Sequence, residues 1–350
     1  MKLLALCLSV LLYQVSGGSA WGASSETPFY LGKTITIMRG GGPGGFGDMQ
    51  TRAILSHLRK HIPGEPTIVM EYVPGAAGRK MANQLYRNAR PDGLTIGALG
   101  GGLVAGTVLG LPGVDYQLER FIYLGSTSSG EPYIFYTRKD AGLDTLSKLQ
   151  GKAGLRIGAE TVGHPKYYGG RLVAYLLNLK GVKFVTGYDG PDLDVAVMSG
   201  EVDGILNSAN TALHRNPEWF DKGLVHLHLG ISLPKGKPHP RFANLPDLDS
   251  FAKNQKESAL LALFRALLLP RWPYYFPPGT PDQQVQILRT AFQKSIADPG
   301  FPKDFKKMTG ADPSPLDGEE LEALIKEVPR DPETINLFRQ FAGPGPLPSR

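Results

Sequence analysis

The chain has 350 residues, and its 44 glycines and 29 prolines make up about one residue in five, against an ordinary one in eight. Hydrophobic residues supply 41%, enough to bury a sizeable core, and the formal charge is +6 with no run of five or more Lys and Arg. These figures exclude a coiled coil, a collagen and a disordered tail, and they lend nothing to a nucleic-acid partner.

Lys2 and the apolar run Leu3–Leu12 lead into small residues ending at Ala20. This is the layout of a secretory signal peptide over residues 1–20, and it predicts export to the periplasm. Cys7, the single cysteine, lies inside it, so thiol, disulfide and zinc-finger chemistry are excluded from the mature chain. Lys33–Met38 reads as a strand, and the glycine-rich loop Gly40–Gly47 follows it. Asp48 then opens and caps an amphipathic helix with Ile54, Leu58 and Ile62 on its apolar face. Strands are predicted over 67–72 and 94–99, with a helix over 79–88 between them. The pattern restarts at Phe121 with strands near 121–124, 133–137, 155–159, 183–186, 204–206 and 224–229, and helices over 168–179 and 192–198. Ala259–Leu269 is a core segment containing Arg265, not a membrane span. Helices over 282–297 and 318–328 complete the chain, and the Gly-Pro repeat at 343–346 predicts a frayed end. Strands alternating with helices at short spacing predict an α/β protein with parallel sheets.

Two loops join a strand to a helix and could do chemistry. In the first, Gly42 to Gly47 formally matches G-x-G-x-x-G, and Glu71 ends the next strand where a ribose-binding acid would lie. A nucleotide-dependent oxidoreductase is therefore one reading. Against it, Arg39, Gly40 and Gly41 separate the strand from the motif, and export removes the chain from the usual cofactor pool. The second reading needs no motif name. Bare glycine backbone before a helix N-terminus offers amides and a positive dipole end to an anion, with no Arg or Lys required. Gly45 is the position where that approach should be most sensitive to a side chain. The second loop, Ala159–Lys166, could form a matching anion site, with His164 and Lys166 adding charge. The histidine pairs His57/His61 and His226/His228 lack a third ligand with suitable spacing, and the helical pair reads as surface histidines.

The sequence resembles the extracytoplasmic solute receptors of the tripartite tricarboxylate transporter family from about Phe29 to Ile325. Pro43-Gly44-Gly45-Phe46-Gly47-Asp48 with Arg52 looks like the family signature P-G-G-x-x-D-x-x-x-R. Pro74-Gly75-Ala76-Ala77-Gly78, Pro91-Asp92-Gly93, Thr186-Gly187-Tyr188-Asp189-Gly190, Gly200-Glu201-Val202-Asp203-Gly204 and Pro277-Pro278-Gly279-Thr280-Pro281 follow in the family's order. The resemblance implies a type II periplasmic-binding-protein fold, two α/β domains with a ligand cleft between them. Domain I is then residues 26–124 plus 232–350, and domain II residues 125–231.

The implied protein is a non-enzymatic receptor without a cofactor. It captures a small organic acid and delivers it to the membrane permease subunits of such a transporter, or to a sensor. Carried over by position, one pincer is Gly44, Gly45, Phe46, Gly47 and Asp48, and the other Thr161, Val162, Gly163 and His164. Gly100 and Gly101 would line the cleft from the first domain, and Tyr188, Asp189, Asn207 and Ser208 from the second. Phe46 stands where the family has a small residue, which implies a narrower pocket or an aromatic stack. Asp189 is an acid where many members have Lys or Pro, which would disfavour a second carboxylate.

Overall fold

Short β-branched and aromatic runs, punctuated by glycine and proline, set the strands. The computed structural model describes residues 27–100 and 102–350. The signal-peptide expectation and Gly101 fall outside the described residues. Strands β1 (Thr34–Arg39), β2 (Thr67–Tyr72), β3 (Thr95–Ala98) and β4 (Ile122–Ser126) come first. Then follow β5 (Tyr133–Arg138), β6 (Arg156–Gly158), β7 (Lys183–Val185), β8 (Gly204–Ser208) and β9 (Val225–Ile231), and last β10 (Pro273–Phe276) and β11 (Leu316–Asp317). The helices are α1 (Phe46–His61), α2 (Arg79–Asn88), α3 (Gly102–Val108), α4 (Leu146–Gly151), α5 (Pro165–Leu176), α6 (Gly190–Met198) and α7 (Ala209–Arg215). After these come α8 (Pro217–Asp221), α9 (Gln255–Leu268), α10 (Asp282–Ile296), α11 (Phe301–Thr309), α12 (Gly318–Lys326) and α13 (Pro332–Ala342). Among the described residues, none is long and apolar enough to cross a membrane.

Two sheets result. The first has the order β11-β4-β10-β3-β1-β2, the second β7-β6-β8-β5-β9. β1 runs parallel to β2 and β3, and β6 parallel to β7 and β8, as βαβ units require. The sheets are nevertheless mixed, not parallel throughout. β10 is antiparallel to β3 and β4, and β5 to β8 and β9. Both are the first strand after the chain crosses from one sheet to the other, so both enter from the opposite end.

Packing departs from the expected division in one respect. Residues 232–350 include α9 and α13, and these pack on α5 behind the second sheet. Phe264 meets Tyr133 and Tyr168 edge-on with ring centroids 5.9 and 5.8 Å apart, and Phe338 meets Tyr168 at 5.5 Å. Aromatic edge-to-face pairs of this kind add about 0.5–1.5 kcal/mol beyond area burial. The end of the chain is also tied down, contrary to the frayed tail expected from its Gly-Pro repeat. Arg171 donates to the carbonyls of Gln340 and Gly345 at 3.0 and 2.6 Å. Arg350 pairs with Glu257 and donates to the Leu176 and Phe251 carbonyls.

Candidate ligand-binding site

The C-terminal ends of β1, β3, β6 and β8 lead into the loops singled out in the sequence. The first loop leaves β1 at Arg39 and enters α1 at Phe46. Its N-cap is Gly45 and not Asp48, and Gly45 has no side chain to cap with. Asp48 lies in the first turn and works backwards. Its Oδ2 accepts from the Gly44 amide (3.0 Å) and Arg52 Nε (3.1 Å), and its Oδ1 from the Tyr72 hydroxyl (2.6 Å). Burial alone would push this carboxyl up, but the bonds from Tyr72, Gly44 and Arg52 outweigh it and hold it below the usual range. Asp48 therefore shapes the loop from behind and stays ionised.

The amides of Gly45, Phe46 and Gly47 carry no hydrogen bond among the described residues. They form the anion-binding surface that the glycine pattern predicts. The loop is expected to need no basic side chain, but Arg39 stands against it. It is 4% exposed, donates to Thr51 Oγ1 at 3.0 Å, and has an Nη2 2.5 Å from the place of a Cβ on Gly47. Arg39 and Arg52 against Asp48 leave this end of the site with one net positive charge.

Trp272 explains two of the glycines. A Cβ on Gly47 would stand 2.2 Å from its ring and one on Gly100 3.1 Å, so the indole lies over both backbones. Phe46 is buried with its ring 6.0 Å from that of Trp272. The indole is thus the aromatic partner it has, where the sequence suggested a ligand. Trp272 sits at φ 56°, a left-handed conformation costly for a bulky residue, and its surroundings must hold it there.

In the second loop, Gly163 is buried where a Cβ would meet Leu111 and Arg79 at 3.3 and 3.5 Å, so the loop touches the first domain. Thr161 and Val162 are exposed at its tip. The expected anion-binding helix start is already occupied by the protein itself. Pro165 has no N–H, the Lys166 amide donates to His164 Nδ1, and the Tyr167 amide donates to the His164 carbonyl. Glu160 lies beside it, 2.8 Å from Lys166 Nζ and 3.2 Å from His164 Nε2. Burial would raise the Glu160 carboxyl, but His164, Lys166 and Arg215 bring it down to about 2. His164 is lowered, chiefly by burial and secondly by Lys166 and Arg271, against the pull of Glu160.

Between the loops stands Arg271, which the sequence reading passed over. It is buried in an ion pair with buried Glu131. Its guanidinium lies 5.1 Å from the Trp272 ring and 5.4 Å from that of Tyr133. Burial works against its charge, yet Glu131, Tyr133, Tyr168 and Glu160 keep it above the usual arginine value. Gln50 on α1 accepts from Thr127 at 2.9 Å in the crossing segment after β4, and its Nε2 is buried without a partner. Arg271-Trp272 sits in a four-residue link between an apolar helix and a strand. A cation and an indole in so short a link were the available signal.

The remaining predicted residues divide. Asn207 is fully buried at the end of β8, with Nδ2 on the Tyr136 hydroxyl (3.4 Å) and Oδ1 unpartnered; Ser208 bonds Thr211. Asp189 is exposed as the N-cap of α6. Tyr188 lies beside the second loop, where the neighbouring Gly187 amide donates to the Glu160 carbonyl (2.7 Å), but its hydroxyl donates to Glu201 (2.7 Å), in the field of Arg156. His57 is not a surface histidine. It is 5% exposed, with Nδ1 3.2 Å from Asp298 and Nε2 3.1 Å from Asp304. His228 bonds Thr137 at 2.9 Å and is pushed by burial to about 4. Among the described residues no group of three or more His, Cys, Asp or Glu is arranged to hold a metal ion.

A cavity of about 310 Å³ lies against Pro132–Ile134, Gly230–Ser232 and Phe242, with no residue of the two loops in its lining, although Tyr133 also faces Arg271. Its carboxylates are already engaged: Asp247 by Ser232, and Asp249 by Arg265. The two loops and Arg271 are the better site.

The chain matches no protein-family model and no curated protein. Solved structures do resemble it. The periplasmic binding protein BugD superposes with a TM-score of 0.68 at 20% identity, over 88% of this chain and 97% of its own. The fold is that of a periplasmic binding protein. MatC from Rhodopseudomonas palustris with bound malate gives 0.66 at 19% identity, over 89% and 99%. An R. palustris protein with adipate gives 0.66 at 16%, over 87% and 97%.

Proposed function

We propose that this periplasmic-binding-protein fold is a solute receptor of the tripartite tricarboxylate transporter type, exported to the periplasm. It captures a small organic acid between the 44–48 and 160–166 loops and hands it to membrane permease subunits. The observation that carries the reading is the first loop, whose free Gly45–Gly47 amides lie above a buried Arg39 with a net charge of +1. Preorganised donors around one uncompensated cation suit an anion and require no reaction of it. The signature Pro43–Asp48 with Arg52, and fold relatives solved with malate and adipate, support the same reading. We assign residues 26–124 with 273–331 to one domain and 125–231 with α9 and α13 to the other, and ligand binding favours their closure.

A panel of di-, tri-, aromatic and amino acids, read by thermal shift and calorimetry, tests this. A true ligand at one hundred times its Kd should add about 2.7 kcal/mol of stability. No binding across the panel would refute the receptor reading. The oxidoreductase reading predicts NADH fluorescence enhancement on mixing, and we expect none.

A further inference from the structure

The Arg271–Glu131 pair is an unusual object for the middle of a binding site. Both partners are more than nine-tenths buried, and they are in ion-pair contact. Yet among the described residues neither Glu131 oxygen and not Arg271 Nη1 has an aligned hydrogen-bond partner, and the adjacent Trp272 Nε1 has none either. A buried ion pair offsets its desolvation only when its remaining lone pairs and protons are satisfied. Buried groups left open in this way call for a specific partner. The open atoms are a charged donor and an indole donor on one side, and a carboxylate acceptor on the other. They lie between the loops, since Trp272 covers Gly47 and Gly100 and the charge of Glu160 acts on Arg271.

We propose that this pair reads the ligand by exchange. Arg271 takes a ligand carboxylate, and Glu131 takes a hydrogen-bond donor that the same ligand carries. The idea rests on the receptor reading above and adds the ligand class: small acids with a hydroxyl or ammonium group near the carboxylate. An acid without such a donor would draw Arg271 away and leave a bare buried carboxylate, which is costly. A guanidinium suits the role because its planar fork can hold a carboxylate through two parallel bonds. The pair is therefore a specificity determinant, while the glycine loop supplies the general attraction for an anion.

Two matched series test the exchange by calorimetry on the mature chain: succinate, malate and aspartate, then propionate, lactate and alanine. Within a series the donor-bearing acids should bind at least about tenfold tighter than the parent, as sites built to bond a hydroxyl or amine discriminate. Glu131→Gln keeps the shape and removes the charge. It should bring the malate-to-succinate ratio towards one and weaken aspartate most, with a single cooperative melting transition, lowered by the unpaired Arg271, showing that the variant folds. Equal affinities within a series, a ratio that Glu131→Gln does not move, or tightest binding by a donor-free acid would overturn the exchange and leave the receptor reading standing. Failure of every acid in the wider panel would instead overturn the receptor reading itself.

Discussion

Glycines 45 and 47 are two residues apart, yet their substitution should fail in different ways. Gly45 has φ −80°, open to any residue, and a Cβ there meets nothing within 4 Å. Gly45→Val should melt like wild type and still lose ligand, because the side chain stands beside the amides an anion must reach. Calorimetry paired with a melting curve checks this; unchanged affinity would make the loop a plain turn. Gly47→Ala should be destabilised by about 1–3 kcal/mol in urea titration, since its Cβ would enter the Trp272 ring. Glu160 offers a pH test. Its folded carboxyl lies at about 2, below the ordinary 4.5, so its contribution is present above pH 4.5 and lost as pH falls towards 2. Unfolding free energies of Glu160→Gln and wild type, from urea titration, should differ at pH 6 by up to roughly 3 kcal/mol and converge near pH 2–3. A difference that does not vary with pH would remove Glu160 from its ion cluster.

At the scale of elements, β1, β2, α2 and the βαβ pattern were legible because periodicity and glycine punctuation are local. The first loop was legible for the same reason. The role of Asp48 was not. A capping position is local, and so is the Gly44 amide four residues away, but Tyr72 reaches Asp48 only after β2 pairs with β1. Arg271, Trp272 and Glu131 lie 140 residues apart in sequence, and only the two crossings between sheets bring them together. The tail failed for a related reason. Its Gly-Pro repeat has no local preference for order, but Arg171 and Glu257 hold it from elsewhere. Arg350→Ala should therefore cost about 2 kcal/mol in urea unfolding, the order expected for hydrogen bonds to a charged group. No loss would return the tail to the frayed end that its composition suggests.

For the whole molecule, the glycine and proline excess marks a division of labour. Two sheets with a shared apolar core supply rigidity, and bare loops at the strand ends supply the contacts. The domains meet where Gly163 faces Arg79 and Leu111, and again where Gly310 faces His214. On the receptor reading proposed above, an organic anion lies between the free amides of Gly45–Gly47 and Arg271. A crystal structure of the chain with its tightest-binding acid tests it most directly. The account predicts a carboxylate within hydrogen-bond distance of those amides or of Arg271, with the second loop closed over it. A ligand seated instead in the cavity beside Phe242, with the two loops empty, would contradict it.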